Sequence, residues 1–207
     1  MTRRDIIEIA ELMPTQMTVG MLQVKHKRAQ LKLLERRPGE LVDFILEHPI
    51  RVVIGPKKKA YVIDHHHLAL ALIKENFESA PMDIEHDLSS LSLVAFWKKM
   101  QALKCVHPFD AEGKRKSCDH VPSNLKRLKD DPYRSVAGFV REQGGFFKVS
   151  EPFAEFLWAD YFRTRIKYKM LSKHFKKALK LALTFAAHPD AAKLPGYIPP
   201  TPSRKPS

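Results

Sequence analysis

The first hundred residues alternate between short strand-like patterns and longer helix-like ones. Residues 6–13 alternate apolar and polar positions, which is typical of a strand, and a proline ends the run. Thr18 is the predicted N-cap of a helix whose apolar stripe reaches Leu34. Pro38 fits the first turn of a second helix, because proline lacks the N–H that this position leaves unpaired.

A hairpin is predicted after these two helices. Residues 50–54 and 60–63 are rich in β-branched side chains, and they flank a Gly-Pro-Lys-Lys-Lys connection. Residues 81–87 have the pattern of a further strand, and the next helix is expected to begin at a cap on Ser89 or Ser90. The connection of three lysines should lie at an exposed tip.

The pattern becomes almost entirely helical after about residue 104. Residues 194–207 hold five prolines and show no periodicity, which is typical of a disordered chain. We therefore predict an α+β fold with a small mixed sheet and helices over residues 1–104. A helical extension packed on it should follow over residues 105–193, and a Pro-rich disordered tail over residues 194–207.

Composition restricts the class of protein. The 207 residues are 44% hydrophobic, enough for one substantial core, and no apolar run approaches the roughly 18 residues of a membrane-spanning helix. Two cysteines are typical of a reducing compartment rather than of a disulfide framework. We expect a cytoplasmic protein, and its oligomeric state stays open.

The net charge of +13 predicts attraction to polyanions, namely nucleic acid, nucleotides or phosphorylated metabolites. The basic residues are spread along the chain in short clusters and do not form a single tail. A solvated basic surface without a specific partner would have the same composition.

The most distinctive residues form a junction between a strand and a helix. Residues 64–67, here named the histidine turn, read Asp64-His65-His66-His67 and stand between a β-branched run and an apolar helical pattern. A helix start carries unpaired N–H groups and a positive dipole end, so it favours anions, and imidazoles can add charge near neutral pH. An Asp cap with histidines facing solvent is the simpler alternative.

This junction resembles that of the ParB/sulfiredoxin superfamily, whose members bind nucleotide phosphates at the corresponding turn. The similarity runs over roughly residues 7 to 200 and is greatest to the divergent "putative ParB-like nuclease" branch. Besides the histidine turn it includes Pro14-Thr15-Gln16, Val19-Gly20, Gln23-Val24, Lys27, Asp131-Pro132-Tyr133-Arg134-Ser135 and Trp158-Ala159-Asp160.

The resemblance implies a nucleotide (ATP, ADP or CTP) bound with Mg²⁺, and it implies site residues. Asp64, His66 and His67 match the motif and are the expected catalytic residues, with Asp64 also holding the metal. The expected phosphate-binding residues are Gln16, Gly20, Lys25, Lys27, His65 and Arg134.

Two departures from the family pattern affect the chemistry. Leu68 stands where relatives carry a phosphate-gripping Arg, and Arg134 is the candidate to replace it. Gln16 lies near the position where serine kinases of the superfamily use a Glu, and an amide cannot act as a general base. The sequence therefore argues against a serine-kinase mechanism.

A second group of possible ligands follows residue 104. Four side chains, Cys105, His107, Cys118 and His120, bracket a loop and include types that bind zinc. With one residue between the members of each pair, the spacing is too short for all four to converge readily on one ion. An ordinary connecting loop is the favoured interpretation, and zinc binding stays open.

Two functions remain. The first is a nucleotide or phosphate-ligand protein that acts as a phosphotransferase or nucleotide hydrolase at the histidine turn. The alternative is a DNA-associated, ParB-like nuclease or binding protein that uses its basic surface, although no convincing helix-turn-helix reader is present among residues 125–187.

Overall fold

The structure is a computed structural model that describes residues 5–200. The chain forms two compact units, of which the first ends at Asp131 and the second begins at Pro132. Residues 105–131 therefore lie in the first unit. The proposed domain division at residue 104 stays a prediction, because compactness does not show which segment folds on its own.

The first unit contains all six strands of the described chain. They are β1 (Asp5–Glu8), β2 (Thr18–Val19), β3 (Ile50–Ile54), β4 (Ala60–Val62), β5 (Ser79–Asp87) and β6 (Lys129–Asp130). The main sheet has the order β1-β5-β3-β4, with β3 parallel to β5 and the other two pairs antiparallel. Strands β2 and β6 form a separate parallel pair. The predicted α+β class with a small mixed sheet is confirmed.

Eight α-helices complete the described chain. The first unit holds α1 (Met21–Leu34), α2 (Pro38–Glu47), α3 (His66–Lys74) and α4 (Leu93–Ala102), and the second holds α5 (Pro132–Glu142), α6 (Ala154–Arg163), α7 (Tyr168–Lys173) and α8 (Phe175–Ala186). Pro38 stands in the first turn of α2, as predicted. No helix within residues 5–200 is long and apolar enough to cross a membrane.

Helices α1 and α3 lie side by side and run in the same direction. At their starts the backbone N–H of Gly20 donates to His67 Nε2 at 3.2 Å. Farther along both helices, Arg28 and Lys32 of α1 pair with Glu75, which follows the last turn of α3. Their apolar faces share one core cluster with the sheet, so the two N-termini are fixed at the same end.

The hairpin between β3 and β4 forms as predicted, with all three lysines exposed. Gly55 precedes the turn, and a Cβ built there would lie 2.6 Å from the Tyr61 ring, so only glycine fits under it. Lys57 and Lys58 both have left-handed backbone angles, with φ of 59° and 57°, which L-residues seldom adopt. The tip is thus a fixed, strained turn.

Three predicted details are wrong, each for a reason of tertiary structure. The first strand ends at Glu8 and a 3₁₀ turn, Ile9–Glu11, follows it. Thr18 does not cap α1, because its backbone pairs with Lys129 and Gly20 takes the N-cap position. The cap of α4 is Ser92, whose hydroxyl oxygen accepts from the Ala95 N–H at 3.3 Å.

The second unit packs around an aromatic cluster. Trp158 stacks on Phe146 with ring centroids 4.3 Å apart, and its indole N–H donates to Pro195 O at 2.8 Å. Gly196 O accepts from the Phe147 N–H at 2.8 Å. Residues 195 and 196 thus bond to this cluster through contacts that composition does not reveal, and the disordered tail over residues 194–207 stays a prediction. Residues 201–207 of the predicted tail lie outside the described residues.

The ion pairs at Glu75 should make stability depend on pH. The hydrogen bond from Arg28 is the main reason that the pKa of Glu75 lies below its ordinary value of 4.5, and Lys32 adds to it. A lowered pKa contributes stability that is present above pH 4.5 and is lost as pH falls through the folded value. We expect Glu75→Gln to lower the free energy of unfolding at pH 7, with a deficit that shrinks on acidification in urea unfolding series.

Glu47→Gln, at an exposed position of α2, is the control and should leave the curve unchanged. A deficit of Glu75→Gln that stays constant between pH 7 and pH 3 would contradict this account of the pairs.

Candidate functional site

The histidine turn lies between the edge strand β4 and the start of α3. After β4, the Ile63 N–H donates to Arg51 O at 2.9 Å, and the chain then turns away from the sheet. Asp64 is exposed, and its carboxylate accepts from the His65 N–H at 2.7 Å. His65 takes the N-cap position in the left-handed region, with φ of 65°. The carboxylate therefore stands one residue before the cap, at the surface.

The three imidazoles point to different neighbours, as consecutive residues at a helix start must. His65 Nδ1 lies 2.9 Å from Pro49 O. His66 is buried and its Nε2 lies 3.4 Å from both the backbone nitrogen and the hydroxyl of Thr15. His67 Nε2 accepts from the Gly20 N–H. His66 and His67 thus hold one segment, residues 13–20, against the start of α3.

That segment continues the sheet beyond its edge strand. Met13 forms a parallel bridge with Tyr61, in which its N–H donates to Ala60 O at 2.9 Å and its carbonyl accepts from the Val62 N–H at 2.8 Å. The Thr15 hydroxyl, buried, donates to Val62 O at 2.6 Å. The segment therefore has a fixed path from the sheet to the start of α1.

The start of α1 carries a carboxylate from a distant part of the chain. Asp130 Oδ1 accepts from the Met21 N–H at 2.9 Å. Partial burial of this carboxyl raises its pKa, the hydrogen bond from Met21 opposes the rise, and the charge of Asp131 adds to it. Two helix N-termini, three histidines and the carboxylates of Asp64 and Asp130 thus belong to one region of the first unit.

The structure brings only some of the predicted residues to this region. Gly20 contacts His67 directly. Gln16 is buried and its backbone forms a bridge to His107. Lys25 is exposed on α1, whereas Lys27 donates to Gln30 Oε1 at 3.2 Å and lies 5.8 Å from the Phe44 ring centroid.

Arg134 lies in the second unit. Its guanidinium stacks on the Phe156 ring at 3.7 Å, and its Nη1 lies 3.4 Å from Glu155 Oε2. These contacts explain how α5 and α6 hold a buried guanidinium. The role of Arg134 as a substitute for the missing arginine of the motif stays a prediction.

Two residues of the site were missed by sequence reasoning, namely Thr15 as a partner of His66 and Asp130 as the carboxylate at α1. Thr15 follows a proline in a predicted loop, and a polar residue is common at such a position, so it gave no signal. The bond from Met21 to Asp130 joins residues 109 positions apart, so no local pattern announces it.

The side chains considered as possible zinc ligands contact other residues of the protein. Cys118 Sγ accepts from Gln101 Nε2 at 3.1 Å, and the His107 ring stacks on Phe109 with centroids 4.3 Å apart. Within residues 5–200, no three or more His, Cys, Asp or Glu side chains are grouped so that they could hold a metal ion. The interpretation of Cys105, His107, Cys118 and His120 as an ordinary connecting loop stays a prediction.

Removal of the Thr15 hydroxyl should loosen the segment. Thr15→Val keeps the shape of the side chain but leaves Val62 O without this donor, so we expect the free energy of unfolding to fall by about 1–3 kcal/mol in urea titrations. Thr15→Ser keeps the hydroxyl and loses one buried methyl group, worth about 0.8 kcal/mol. If Thr15→Val is as stable as the wild type, the hydroxyl does not hold this segment.

Comparison with known proteins agrees with the resemblance of the motif. The model of a family described as "putative ParB-like nuclease" matches residues 6–164. No curated protein matches this chain. The crystal structure of a protein from Agrobacterium tumefaciens superposes with a TM-score of 0.86 at 40% sequence identity, over 96% of this chain and 100% of that one. The chain belongs to the family of "putative ParB-like nucleases".

Proposed function

We propose that this ParB-like protein binds the phosphate groups of a nucleotide, or of a similar phosphate ligand, at the histidine turn. The observation that carries the proposal is the parallel arrangement of α1 and α3. The N–H of Gly20 meets His67 at 3.2 Å, so both positive dipole ends lie at one place. Two aligned helix starts attract an anion more strongly than one does.

The charges around this place give the proposed roles. Asp64 is exposed and can bind Mg²⁺ that arrives with the phosphates, since magnesium prefers a few carboxylates together with phosphate oxygens. The metal would offset the negative charge of the phosphates. Lys25 and Lys27 on α1 and the imidazole of His65 supply further positive charge or donors.

The contacts of His66 and His67 favour positioning over proton transfer. In both residues Nε2 is directed at a backbone N–H of the segment 13–20. An imidazole that accepts such a bond is neutral at that nitrogen, and it orients the chain around the ligand. Phosphoryl transfer or nucleotide hydrolysis at this turn would then depend mainly on positioning and on charge stabilisation.

The alternative function is DNA binding or cleavage, and the net charge favours it. The chain carries 36 Lys and Arg against 23 Asp and Glu, and three of the lysines form the exposed, strained tip at residues 57–59. The family description also names nucleases. A metal nuclease needs carboxylates that converge on the metal, a grouping that residues 5–200 do not present.

Loss of the Asp64 carboxylate should abolish the magnesium-dependent part of ligand binding. A nucleotide at about 100 times its dissociation constant adds about 2.7 kcal/mol of stability, or roughly 5 to 10 °C of Tm for a chain of this size. The wild type is screened against ATP, ADP, CTP, GTP and inorganic phosphate, each with Mg²⁺, and we expect this shift with at least one of them. For that ligand, Asp64→Ala should lose affinity at least tenfold.

The matched control is Asp43→Ala, which removes an exposed carboxylate from α2. Asp43→Ala should keep the Tm of the wild type without ligand, and the Tm of Asp64→Ala should fall by no more than the loss of one exposed bond to the His65 N–H explains. Equal affinity of Asp64→Ala and the wild type would place the ligand elsewhere.

The DNA alternative predicts a different dependence on salt. For duplex DNA, log K falls with log salt by about 0.9 for each phosphate contact. If the lysine tip contacts DNA, replacement of Lys57, Lys58 and Lys59 by alanine should reduce this slope by up to about 2.7 in fluorescence-anisotropy titrations. Absence of binding to duplex DNA at low salt would rule out this function.

A further inference from the structure

One buried side chain at the start of α1 has an amide nitrogen without a hydrogen-bond partner in the described part of the chain. Gln23 is 4% exposed, and its Nε2 makes no hydrogen bond to any residue from 5 to 200. Gln16 is 5% exposed and its Nε2 is equally unpaired within the described part of the chain. Buried amides are normally hydrogen-bonded, and a buried donor without an acceptor is destabilising, so each exception needs an explanation.

The position of Gln23 directs it towards the proposed phosphate site. Gln23 is the third residue of α1, and a helical side chain covers the turn on the N-terminal side of its own Cα. We therefore expect its amide over the first turn of α1, which begins beside Gly20 and His67. Gln16 lies in the segment that leads into this helix, next to Thr15 and its contact with His66.

At the start of α1, the amide nitrogens of Gln23 and Gln16 are the side-chain donors proposed for a ligand. Asp130 already accepts the N–H of Met21, and His67 accepts that of Gly20. A carboxamide nitrogen only donates, and phosphate oxygens only accept, so the two are complementary. A protein that buries such donors and leaves them unpaired gains their hydrogen bonds when a ligand arrives.

We infer that the carboxamides of Gln23 and Gln16 donate to phosphate oxygens of the ligand, so that the site extends from the histidine turn across the start of α1. This rests on the proposed function, because it assigns further contacts of the same phosphate. It also assigns an energetic role, since the unpaired donors destabilise the free protein and stabilise the complex.

The test compares stability and affinity in the same variants. Gln23→Met keeps the length of the side chain and removes the amide. We expect its Tm without ligand to rise by roughly 3 °C or more, because a buried unpaired donor is gone. We expect its affinity for Mg²⁺–ATP, Mg²⁺–CTP and inorganic phosphate, measured by isothermal titration calorimetry, to fall about tenfold or more. Gln16→Met should behave in the same way.

Gln101→Met is the control at an exposed amide. The Gln101 amide is paired on both sides, since Nε2 donates to Cys118 Sγ at 3.1 Å and Oε1 accepts from Arg115 at 2.9 Å. Its loss should not raise the Tm and should leave affinity unchanged.

Two results would contradict the inference about Gln23. A lower Tm of Gln23→Met would show that the amide is paired in the free protein, and unchanged affinity would show that it does not contact the ligand. Either result overturns this inference and leaves the proposed function standing. Absence of heat with all three ligands in the wild type would overturn both.

Discussion

The parallel packing of α1 and α3 is the arrangement on which the rest of the first unit depends. Neighbouring parallel helices place their dipoles unfavourably, so other contacts must hold them together. Their shared apolar core does so, together with the ion pairs of Glu75 at one end and the bond from Gly20 to His67 at the other. The result is an end of the unit where the positive dipole ends of both helices lie together.

Residues 13–20 join that end to the sheet. The segment pairs with β4 through Met13, meets His66 through Thr15, pairs with β6 through Thr18 and then becomes α1. The histidine turn therefore has a structural role whatever it binds, because two of its imidazoles fix this path. The same contacts bring Gly20 to the start of α3, and Asp64 stays exposed beside them.

Local signals were sufficient for much of this fold. Pro38 marked the start of a helix, and the Gly-Pro-Lys-Lys-Lys connection marked the hairpin, because these residues restrict the backbone in any surroundings. Thr18 is a good cap by type, yet it lies in a strand because Lys129 is there to pair with it. The position of Asp130 at α1 likewise depends on a contact between distant residues, which no local pattern contains.

The junction that carries the candidate site was predictable from the sequence, whereas the contacts of its side chains were not. The order of strand, carboxylate, histidines and helix predicted that the histidine turn lies between β4 and α3. It did not reveal that His66 and His67 face the backbone of the segment 13–20. Nor did it reveal that Gln23, a residue of ordinary helical pattern, is buried with its amide nitrogen unpaired among residues 5–200. Both features arise from how α1 and α3 meet.

The most direct test of the central claim is an NMR titration of the labelled protein with Mg²⁺–ATP, Mg²⁺–CTP and inorganic phosphate, following every backbone amide. If the starts of α1 and α3 form one phosphate site, the amides of Thr15, Gly20 and residues 65–68 should shift together and fit one dissociation constant. Shifts confined to the lysine tip at residues 57–59, or none at all, would contradict it.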